Sequence, residues 1–247
     1  MKVALVTGAN TGIGLAIAQR LLQDGYALGY ATAGNDERHE GPLEELRQLG
    51  TVHWVWGDLA DAKMPAKLVD DAVEELGRID VLVNNAGLST AKPFFELDAD
   101  DFDTTFAVDV RAAFLLSQAA ARDMRERGEG GSIVNITSVH EFIARRDFTI
   151  YAAAKAALGM LTRSTALELA EYRIRVNAVA PGLIATPRNE KDAKRLIPEV
   201  PLGRPGTAEE VAGLVAWLVS DEAAYVTGAS YLMDGGMIQQ VVDVPAS

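Results

Sequence analysis

Residues 3–14 read VALVTGANTGIG, an apolar run that passes directly into a glycine-rich turn. The apolar run predicts a short buried β-strand, and the pattern from Gly12 onward predicts a helix. Gly8 allows a tight turn, Gly12 allows the backbone to come close to a ligand, and Gly14 allows the helix to pack near the sheet. Because the free N–H groups and dipole at a helix N-terminus favour an anion, the stretch predicts a phosphate-binding turn.

The same alternation of strand and helix continues along the chain. Further strands are predicted at 27–32, 51–56, 79–84, 132–137, 175–180 and 230–233. Helices are predicted at 12–23, 42–50, 62–76, 99–125, 151–171 and 208–220. Apolar strands separated by helices of this length are typical of βαβ units with a parallel sheet covered on both faces. We therefore predict an α/β fold of three layers, with a doubly wound parallel sheet of the Rossmann type.

No internal repeat or linker divides the chain, so we expect residues 1–247 to form one dinucleotide-binding catalytic domain. The stretch 186–207 differs from the rest because it is long, charged and interrupted by four prolines. It follows the carboxyl end of a predicted strand, where doubly wound sheets bind ligands. We interpret it as a substrate lid, the alternative being an ordinary surface loop with a short helix.

Composition excludes several classes of protein. The chain has no cysteine, which excludes a disulfide scaffold, a thiolate metal site and a cysteine nucleophile. Its formal net charge of −12 argues against nucleic acid and anionic membranes as partners. No targeting segment is visible, and the densest late apolar stretch, 211–219, is far shorter than the ~20 residues of a membrane span. We expect a cytoplasmic protein that acts on a small molecule.

Four further motifs come after the glycine turn in order. The sequence NNAG at 84–87 ends the fourth predicted strand, and Ser138 lies thirteen residues before Tyr151. Tyr151 and Lys155 form a Y-x-x-x-K pair, and a Pro-Gly pair at 181–182 follows the sixth predicted strand. Together with the T-G-x-x-x-G-I-G spacing of the turn, these motifs resemble the short-chain dehydrogenase/reductase family over nearly the whole chain.

Tyr151 and Lys155 are spaced i, i+4 and share one face of a helix. Free tyrosine has a pKa of ~10 and is a poor base at neutral pH, but a nearby ammonium stabilises the phenolate. The pair can therefore exchange a proton with an alcohol or carbonyl as a general acid/base. A buried aromatic residue beside a snorkelling lysine is the structural alternative. No G-x-S-x-G elbow surrounds Ser138, which excludes a serine hydrolase of that type.

The resemblance implies an oxidoreductase that transfers a hydride between a nicotinamide cofactor and a secondary alcohol or carbonyl. It implies that Ser138, Tyr151 and Lys155 are catalytic, with the Ser138 hydroxyl bonded to the substrate oxygen and Lys155 also holding the nicotinamide ribose. It further implies a cofactor groove. The groove residues would be Gly8, Asn10, Thr11, Gly12, Ile13, Gly14, Thr32, Asp58, Leu59, Asn85, Ala86, Gly87, Tyr151, Lys155, Pro181, Gly182, Ile184 and Thr186.

The chain departs from the family pattern at Asp109, where an asparagine often completes a set with Ser, Tyr and Lys. An aspartate there can hold the water that links Lys155 to solvent. As an anion it also binds the Lys155 ammonium and opposes its effect on Tyr151. We therefore count Asp109 among the catalytic residues and expect an altered pH dependence.

Cofactor choice is read at the end of the second strand, where an acid favours NAD and a basic residue favours NADP. The segment 31–35 has neither charge, and Thr11 stands where the family's other basic marker would be. With no acid to repel a 2′-phosphate, and with Arg38 nearby in the sequence, we favour NADP over NAD. His140 has no second histidine or cysteine beside it that would complete a ligand pattern, and we predict no metal site.

Substrate clues centre on the sequence SVHE at 138–141, which resembles that of bacterial glucose 1-dehydrogenases. Other segments are shared with 3-oxoacyl-carrier-protein reductases. Ser89 occupies the place where the glucose enzymes carry an acid, which weakens a glucose assignment. His140 and Ser138 are the candidate substrate contacts. Arg145 and Arg146 are either attractors of an acidic substrate or solvated loop charges.

The sequence leaves two possible functions, an enzyme or a sensor, and an oligomeric state is also expected. The same fold can serve as a non-catalytic dinucleotide sensor, since fold alone does not establish function. The intact set of Ser138, Tyr151 and Lys155 favours an enzyme, whereas Asp109 favours a sensor. The alanine-rich helix at 151–171 permits close helix packing, and the resemblance implies a homotetramer.

Overall fold

A seven-stranded parallel sheet forms the centre of the structure, a computed structural model that describes residues 1–186 and 195–239, without the side chains of residues 37 and 38. The strands, in chain order, are β1 (Val3–Thr7), β2 (Ala27–Thr32), β3 (Val52–Trp56), β4 (Val81–Asn84), β5 (Gly131–Ile136), β6 (Ile174–Pro181), β7 (Ile184–Ala185), β8 (Gly206–Thr207) and β9 (Ser230–Met233). The order across the sheet is β3-β2-β1-β4-β5-β6-β9, and β7 pairs separately with β8.

Helices cover both faces of this sheet. They are α1 (Gly12–Gln23), α2 (Glu37–Arg47), α3 (Met64–Leu76), α4 (Ala99–Phe106), α5 (Ala112–Arg127), α6 (Thr149–Leu169) and α7 (Ala208–Val219). Alternate residues of β1 point to opposite faces, so that Ala4 and Val6 join one apolar core with α1, α2 and α7. Val3 and Leu5 join a second core with α3, α5 and α6. The predicted three-layer, doubly wound fold is confirmed.

The sheet reverses its winding between β1 and β4. Going outward from β1 the order is β2, then β3, whereas on the other side it is β4, β5, β6. Every neighbouring pair is parallel, so all strands end at one edge of the sheet. Because ligands bind outside the carboxyl ends of such strands at the reversal point, the topology places a binding crevice after β1 and β4.

The helix predicted at 42–50 in fact begins at Glu37 and contains Pro42. Proline is favoured at the first helical position, but here Pro42 is the sixth residue of the helix. Tertiary contacts hold the earlier turn in place, because the Tyr30 hydroxyl donates to the His39 carbonyl at 3.1 Å. The His39 ring also packs edge-on against Trp54, with centroids 6.4 Å apart.

The long helix predicted at 99–125 is divided into three parts. Helix α4 ends at Phe106, a π-helical segment covers Ala107–Arg111, and α5 continues to Arg127. Single π-turns of this kind change the direction in which side chains project and are frequent at functional sites. Here the π segment contains Asp109, whose side chain is buried.

Part of the predicted lid at 186–207, residues 187–194, lies outside the described residues. In the remainder, Ile197–Glu199 forms a 3₁₀ turn, and β8 pairs with β7. Leu202 N–H donates to the Gly235 carbonyl at 3.2 Å, so this half of the segment packs on the chain after β9. No helix among the described residues is long and apolar enough to cross a membrane.

Candidate active site

A cavity of about 820 Å³ opens where the sheet reverses, at the ends of β1, β2 and β4. Most of the residues predicted for the cofactor groove line it. These are Gly8, Asn10, Thr11, Gly12, Ile13, Gly14, Thr32, Asp58, Leu59, Asn85, Ala86, Gly87 and Thr186. The structure therefore brings together residues that are up to 178 positions apart in the sequence, from Gly8 to Thr186.

The glycine turn has the conformation that its sequence predicts. Gly8 and Gly12 have φ values of +63° and +54°, in the left-handed region that favours glycine. A Cβ on Gly14 would lie 2.2 Å from the Gly8 carbonyl oxygen, so only glycine allows α1 to come this close to the turn. The local chain thus shapes a concave backbone surface at the N-terminus of α1.

This surface fits the pyrophosphate of a dinucleotide. The N-cap residue of α1, Thr11, makes no side-chain capping bond within the described structure, and the first turn of α1 carries no acid. The first N–H groups of the helix therefore remain available to an anion, and no carboxylate of that turn repels it. The donor set at the start of α1 suits a phosphate group.

Asn85 and Thr7 hold the turn from behind. Asn85 Nδ2 donates to the Thr7 carbonyl at 2.9 Å and to the Gly8 carbonyl at 3.2 Å. The Thr7 hydroxyl accepts from the N–H groups of Asn85 and Ala86, both at 3.0 Å. Sequence reasoning missed Thr7, although it is the first residue of the T-G-x-x-x-G-I-G motif. Both side chains serve to join β4 to the turn.

Thr32, which lines this cavity at the end of β2, makes two hydrogen bonds within the protein through its hydroxyl. It donates to the Gly34 carbonyl at 2.6 Å and accepts from Trp54 Nε1 at 2.8 Å. Sequence reasoning also missed Asp36, which lines the same cavity. The side chain of Arg38, the predicted partner of a 2′-phosphate, lies outside the described residues.

A second cavity of about 260 Å³ holds the predicted catalytic residues Ser138, Tyr151 and Lys155, together with Pro181, Gly182 and Ile184. It shares five lining residues with the first cavity: Ile13, Asn85, Gly87, Leu88 and Thr186. A ligand that fills the first cavity therefore reaches the second through a common wall. Ser138 comes from the end of β5, and the other two catalytic candidates come from the first turns of α6.

Lys155 is buried between three groups. Its Nζ donates to the Ile136 carbonyl at 3.3 Å and lies 5.5 Å from the centre of the Tyr151 ring. Asp109 Oδ2 lies 3.0 Å from the same Nζ, in an ion pair whose two side chains are 5% and 0% exposed. Burial acts to lower the pKa of Lys155, but Asp109 above all, with Tyr151, raises it above its ordinary value. The ammonium form is therefore favoured.

Asp109 does not line either cavity and lies behind Gly87. Its Oδ1 accepts from the Leu88 N–H at 2.7 Å. A Cβ on Gly87 would lie 3.1 Å from Lys155 Nζ and 3.2 Å from Asp109 Oδ2, so the glycine of the NNAG motif leaves space for this pair. The sequence suggested a pairing of Asp109 with Lys155, and the structure has that contact.

His140 contacts the tyrosine rather than the cavity wall. Its ring centre is 5.9 Å from that of Tyr151, edge-on, and 5.3 Å from that of Phe148, stacked. Its Nδ1 lies 3.3 Å from the Ile143 carbonyl oxygen and must carry the proton, since a carbonyl only accepts. Burial lowers the pKa of His140, and Arg145 adds to this, against the opposing bond to Ile143. The imidazole is neutral at pH 7, with Nε2 as an acceptor.

Comparison with known proteins identifies the family of the chain. The family model described as enoyl-(acyl carrier protein) reductase matches residues 8–238. The uncharacterized oxidoreductase YohF of Escherichia coli is 44% identical over 242 residues, which cover 96% of each chain. L-rhamnose 1-dehydrogenase (NAD(P)(+)) of Azotobacter vinelandii is 39% identical, also over 96% of each chain.

The predicted likeness to glucose 1-dehydrogenases is present as well. Glucose 1-dehydrogenase 2 of Bacillus subtilis is 36% identical over 96% of this chain and 94% of its own. Among solved structures, acetoin dehydrogenase YohF from Salmonella typhimurium superimposes with a TM-score of 0.91 at 42% identity, covering 100% of this chain and 99% of that one. The chain belongs to the short-chain dehydrogenase/reductase family and is an oxidoreductase of alcohol and carbonyl groups.

Proposed function

We propose that this protein reversibly oxidises a small secondary alcohol to a ketone with NAD(P) as hydride acceptor. The observation that carries the proposal is the meeting of Ser138, Tyr151 and Lys155 in one cavity that shares a wall with the dinucleotide groove. A nicotinamide cofactor, when bound, supplies or accepts the hydride. The residues of the chain supply orientation and the proton.

In the reduction direction the Tyr151 hydroxyl donates its proton to the carbonyl oxygen of the substrate. The Ser138 hydroxyl donates a hydrogen bond to the same oxygen and stabilises the charge that develops there. The Lys155 ammonium stabilises the phenolate left on Tyr151. Asp109 keeps Lys155 in its ammonium form, while neutralising part of its field. In the oxidation direction the same proton moves from the alcohol to Tyr151.

For the substrate we propose a hydroxy ketone, a polyol or a sugar with a secondary alcohol. The named relatives act on acetoin, L-rhamnose and glucose, all of which carry oxygen on neighbouring carbons. Ser138 and Tyr151 line the small cavity and can contact such a substrate, whereas the expected contact with His140 is indirect, because that ring packs on Tyr151. Ser89 in place of an acid makes glucose a poorer candidate than acetoin, and a 3-oxoacyl thioester is the fourth class of candidate substrate.

The test is a substrate panel read by absorbance at about 340 nm, where the reduced nicotinamide absorbs, with both cofactors. It includes acetoin, a vicinal diol, L-rhamnose, glucose, cyclopentanol and a 3-oxoacyl thioester. We expect the highest kcat/KM with acetoin or the diol. Turnover of cyclopentanol alone would contradict the proposed preference for neighbouring oxygen groups.

Asp109 supports a second candidate, a dinucleotide sensor, because it pairs with the catalytic lysine. Tyr151→Phe separates the two functions, since it removes the proton donor and leaves the groove intact. For an enzyme we expect kcat to fall by about 10²–10⁴-fold while the cofactor dissociation constant stays unchanged. A wild-type protein that binds cofactor but turns over nothing from the panel would favour the sensor.

For the cofactor we propose that NADP(H) is preferred over NAD(H), because no acid stands at the end of β2. Asp36 in the cavity wall acts against this preference, whereas the positive charge of Arg38, two positions later in the sequence, favours it. The ratio of kcat/KM for the two cofactors measures the balance. Replacing the acid with Asp36→Asn is expected to raise the ratio toward NADP(H), and a strong NAD preference in the wild type would overturn the proposal.

We also propose that the segment 186–207 closes over the substrate as a lid and that four copies assemble through α5 and α6. The lid comes after β6, whose end lines the catalytic cavity. Helices α5 and α6 expose Phe114, Met160 and Leu167, the last with 82% of its surface accessible. Such apolar exposure on neighbouring helices is typical of a subunit interface.

A further inference from the structure

Glu141 is a buried carboxylate that the proposed reaction does not use. It lies three residues after Ser138 and ends the 3₁₀ turn that begins at Val139. Its side chain is only 3% exposed. Since ionised groups are rarely buried without specific partners, a carboxylate at this depth beside the site requires a physical reason.

Three elements meet at Glu141. Arg163 Nη2 of α6 donates to Oε1 at 2.8 Å, and Ser230 Oγ of β9 donates to Oε2 at 2.7 Å. The Glu141 N–H donates in turn to the Ser138 carbonyl at 2.8 Å. One residue thereby joins the turn that carries Ser138 to a helix and to the last strand of the sheet.

The face of α6 that receives Glu141 is the face that carries the proton donor. Tyr151, Lys155, Gly159 and Arg163 follow one another at intervals of four residues and form one stripe along the helix. A Cβ on Gly159 would lie 2.2 Å from Glu141 Oε1 and 2.3 Å from its Cδ. Because Gly159 has no side chain, it leaves the space that the Glu141 carboxylate occupies.

We propose that Glu141, seated on Gly159 and paired with Arg163, is a positioning residue that sets Ser138 against Tyr151. The proposal rests on the proposed function, since it concerns the placement of the same two hydroxyl groups. Glu141 lines neither cavity and takes no part in proton transfer. It acts by fixing the position of the turn after β5 along the axis of α6.

Loss of the Glu141 carboxylate would change the position of Ser138 relative to Tyr151. Arg163 and Ser230 would lose their partner, and the turn would lose the two side-chain bonds that join it to α6 and β9. A displacement of about 1 Å in a positioned group can cost on the order of 100-fold in rate. The dinucleotide groove is built by β1, α1 and β4, none of which supplies a partner to the Glu141 carboxylate. Loss of Glu141 is therefore expected to reduce kcat and to leave cofactor binding unchanged.

The experiment compares four variants of the full-length protein: Glu141→Ala, Glu141→Gln, Gly159→Ala, and the double variant of Glu141→Ala with Gly159→Ala. We expect Glu141→Ala and Gly159→Ala each to lower kcat by about tenfold or more. Glu141→Gln keeps an oxygen for Arg163 and the same length, and is expected to retain most of kcat. In the double variant no carboxylate is left to collide with position 159, so its kcat should equal that of Glu141→Ala alone.

Several outcomes would overturn the proposal. They are a Glu141→Ala protein with wild-type kcat, a Gln variant no better than Ala, and losses that add in the double variant. Parallel losses in cofactor affinity would indicate general unfolding instead of misplacement, and would also overturn it. Glu126→Ala, an exposed glutamate on α5, is the control and is expected to match the wild type.

Turnover of the wild type and of Tyr151→Phe distinguishes a wrong reaction from a wrong role for Glu141. If the protein is not an enzyme of this kind, the wild type itself shows no turnover on the panel. If only the role of Glu141 is wrong, the wild type turns over and Tyr151→Phe is inactive, while Glu141→Ala remains active. Should Glu141→Ala fail to fold, Gly159→Ala and Glu141→Gln supply the same comparison.

Discussion

Lys155 owes its charge to a residue forty-six positions earlier in the sequence. Burial alone would favour the neutral amine, because a buried ammonium loses its hydration. The Asp109 carboxylate at 3.0 Å outweighs this effect and raises the pKa of Lys155. The ammonium therefore persists in a closed site beside Tyr151, but its charge is shared with an anion.

Asp109→Asn tests this arrangement. With no carboxylate to oppose burial, the pKa of Lys155 falls, and the ammonium is lost at a lower pH than in the wild type. We therefore expect the high-pH limb of the pH–rate profile to move to lower pH. The measurement is kcat/KM against pH for both proteins, and superimposable profiles would show that Asp109 does not govern Lys155.

The stability of the same variant provides a second measurement. Removing one partner of a buried ion pair is expected to cost about 3–5 kcal/mol in the free energy of unfolding, if Lys155 stays charged. A smaller loss is expected at high pH, where Lys155 of the variant is neutral. Urea unfolding at about pH 7 and at about pH 10 measures both values. An equal loss at the two pH values would contradict a charged Lys155.

The turn between β1 and α1 depends on glycines for two separate reasons. At Gly8 and Gly12 the requirement is a positive φ, and at Gly14 it is the lack of space for a side chain. The turn is also held from β4 by Asn85 and Thr7. The proposed phosphate site therefore belongs to two neighbouring strands and one helix, and a disturbance in any of them should reach it.

Gly14→Ala is expected to weaken cofactor binding. Its Cβ would collide with the Gly8 carbonyl and with Asn85 Nδ2, which must push α1 away from the turn. We expect the cofactor dissociation constant to rise by about tenfold or more, equivalent to ~1.4 kcal/mol. Titration of the protein with NAD(H) or NADP(H), followed by fluorescence, measures the change.

Gly213→Ala is the matched control for that variant. Gly213 lies within α7, and a Cβ there would meet Arg20 Nη1 at 3.8 Å, an ordinary contact distance. Removing a helical glycine should stabilise the protein by about 0.5–1 kcal/mol and leave the cofactor affinity unchanged. A similar weakening of cofactor binding in both variants would argue against the steric explanation.

The π segment Ala107–Arg111 decides where the long helical region points its side chains. An unbroken α-helix over 99–125 would present one regular stripe of buried positions. The extra residue of a π turn rotates the rest of the helix relative to α4, and the segment buries Asp109 behind Gly87. The placement of an anion beside Lys155 is therefore a property of this irregular element.

The fold gathers the site from elements that are distant in sequence. The reversal between β1 and β4 opens the dinucleotide groove, and β5, β6 and α6 close its far end. Because every strand of the central sheet is parallel, the loops that carry functional residues meet at one edge of that sheet. Two cavities with five common residues result, with volumes of about 820 and 260 Å³, and we propose that they hold the dinucleotide and the substrate respectively.

The exposed apolar residues of α5 and α6 provide a test of assembly. We expect light scattering after gel filtration to give four times the 26.4 kDa mass of one chain. Leu167→Asp places a charge on the most exposed of these residues and should yield smaller species. A wild-type protein that elutes as a monomer would contradict the predicted tetramer.

The parallel sheet, the layers and the glycine turn were predictable from the sequence, because each depends on short-range patterns. Continuous apolar runs indicate which segments are buried, and the spacing of Tyr151 and Lys155 places them on one helix face. Terminal residues of elements shifted by a few positions, and α2 began earlier because the contacts of His39 with Tyr30 and Trp54 outweigh the preference of Pro42.

Other features depended on contacts between residues far apart in the chain. The hydrogen bonds of the Thr32 hydroxyl with Trp54 and Gly34 could not be predicted from residue types. The contact of Glu141 with Gly159 likewise joins the turn after β5 to α6, and packing of the whole chain decides how close these two elements lie. A pattern within one segment reports which groups are present and which way they face. Distances between groups on different segments, and hence pairing, burial and charge state, arise only when the chain is folded.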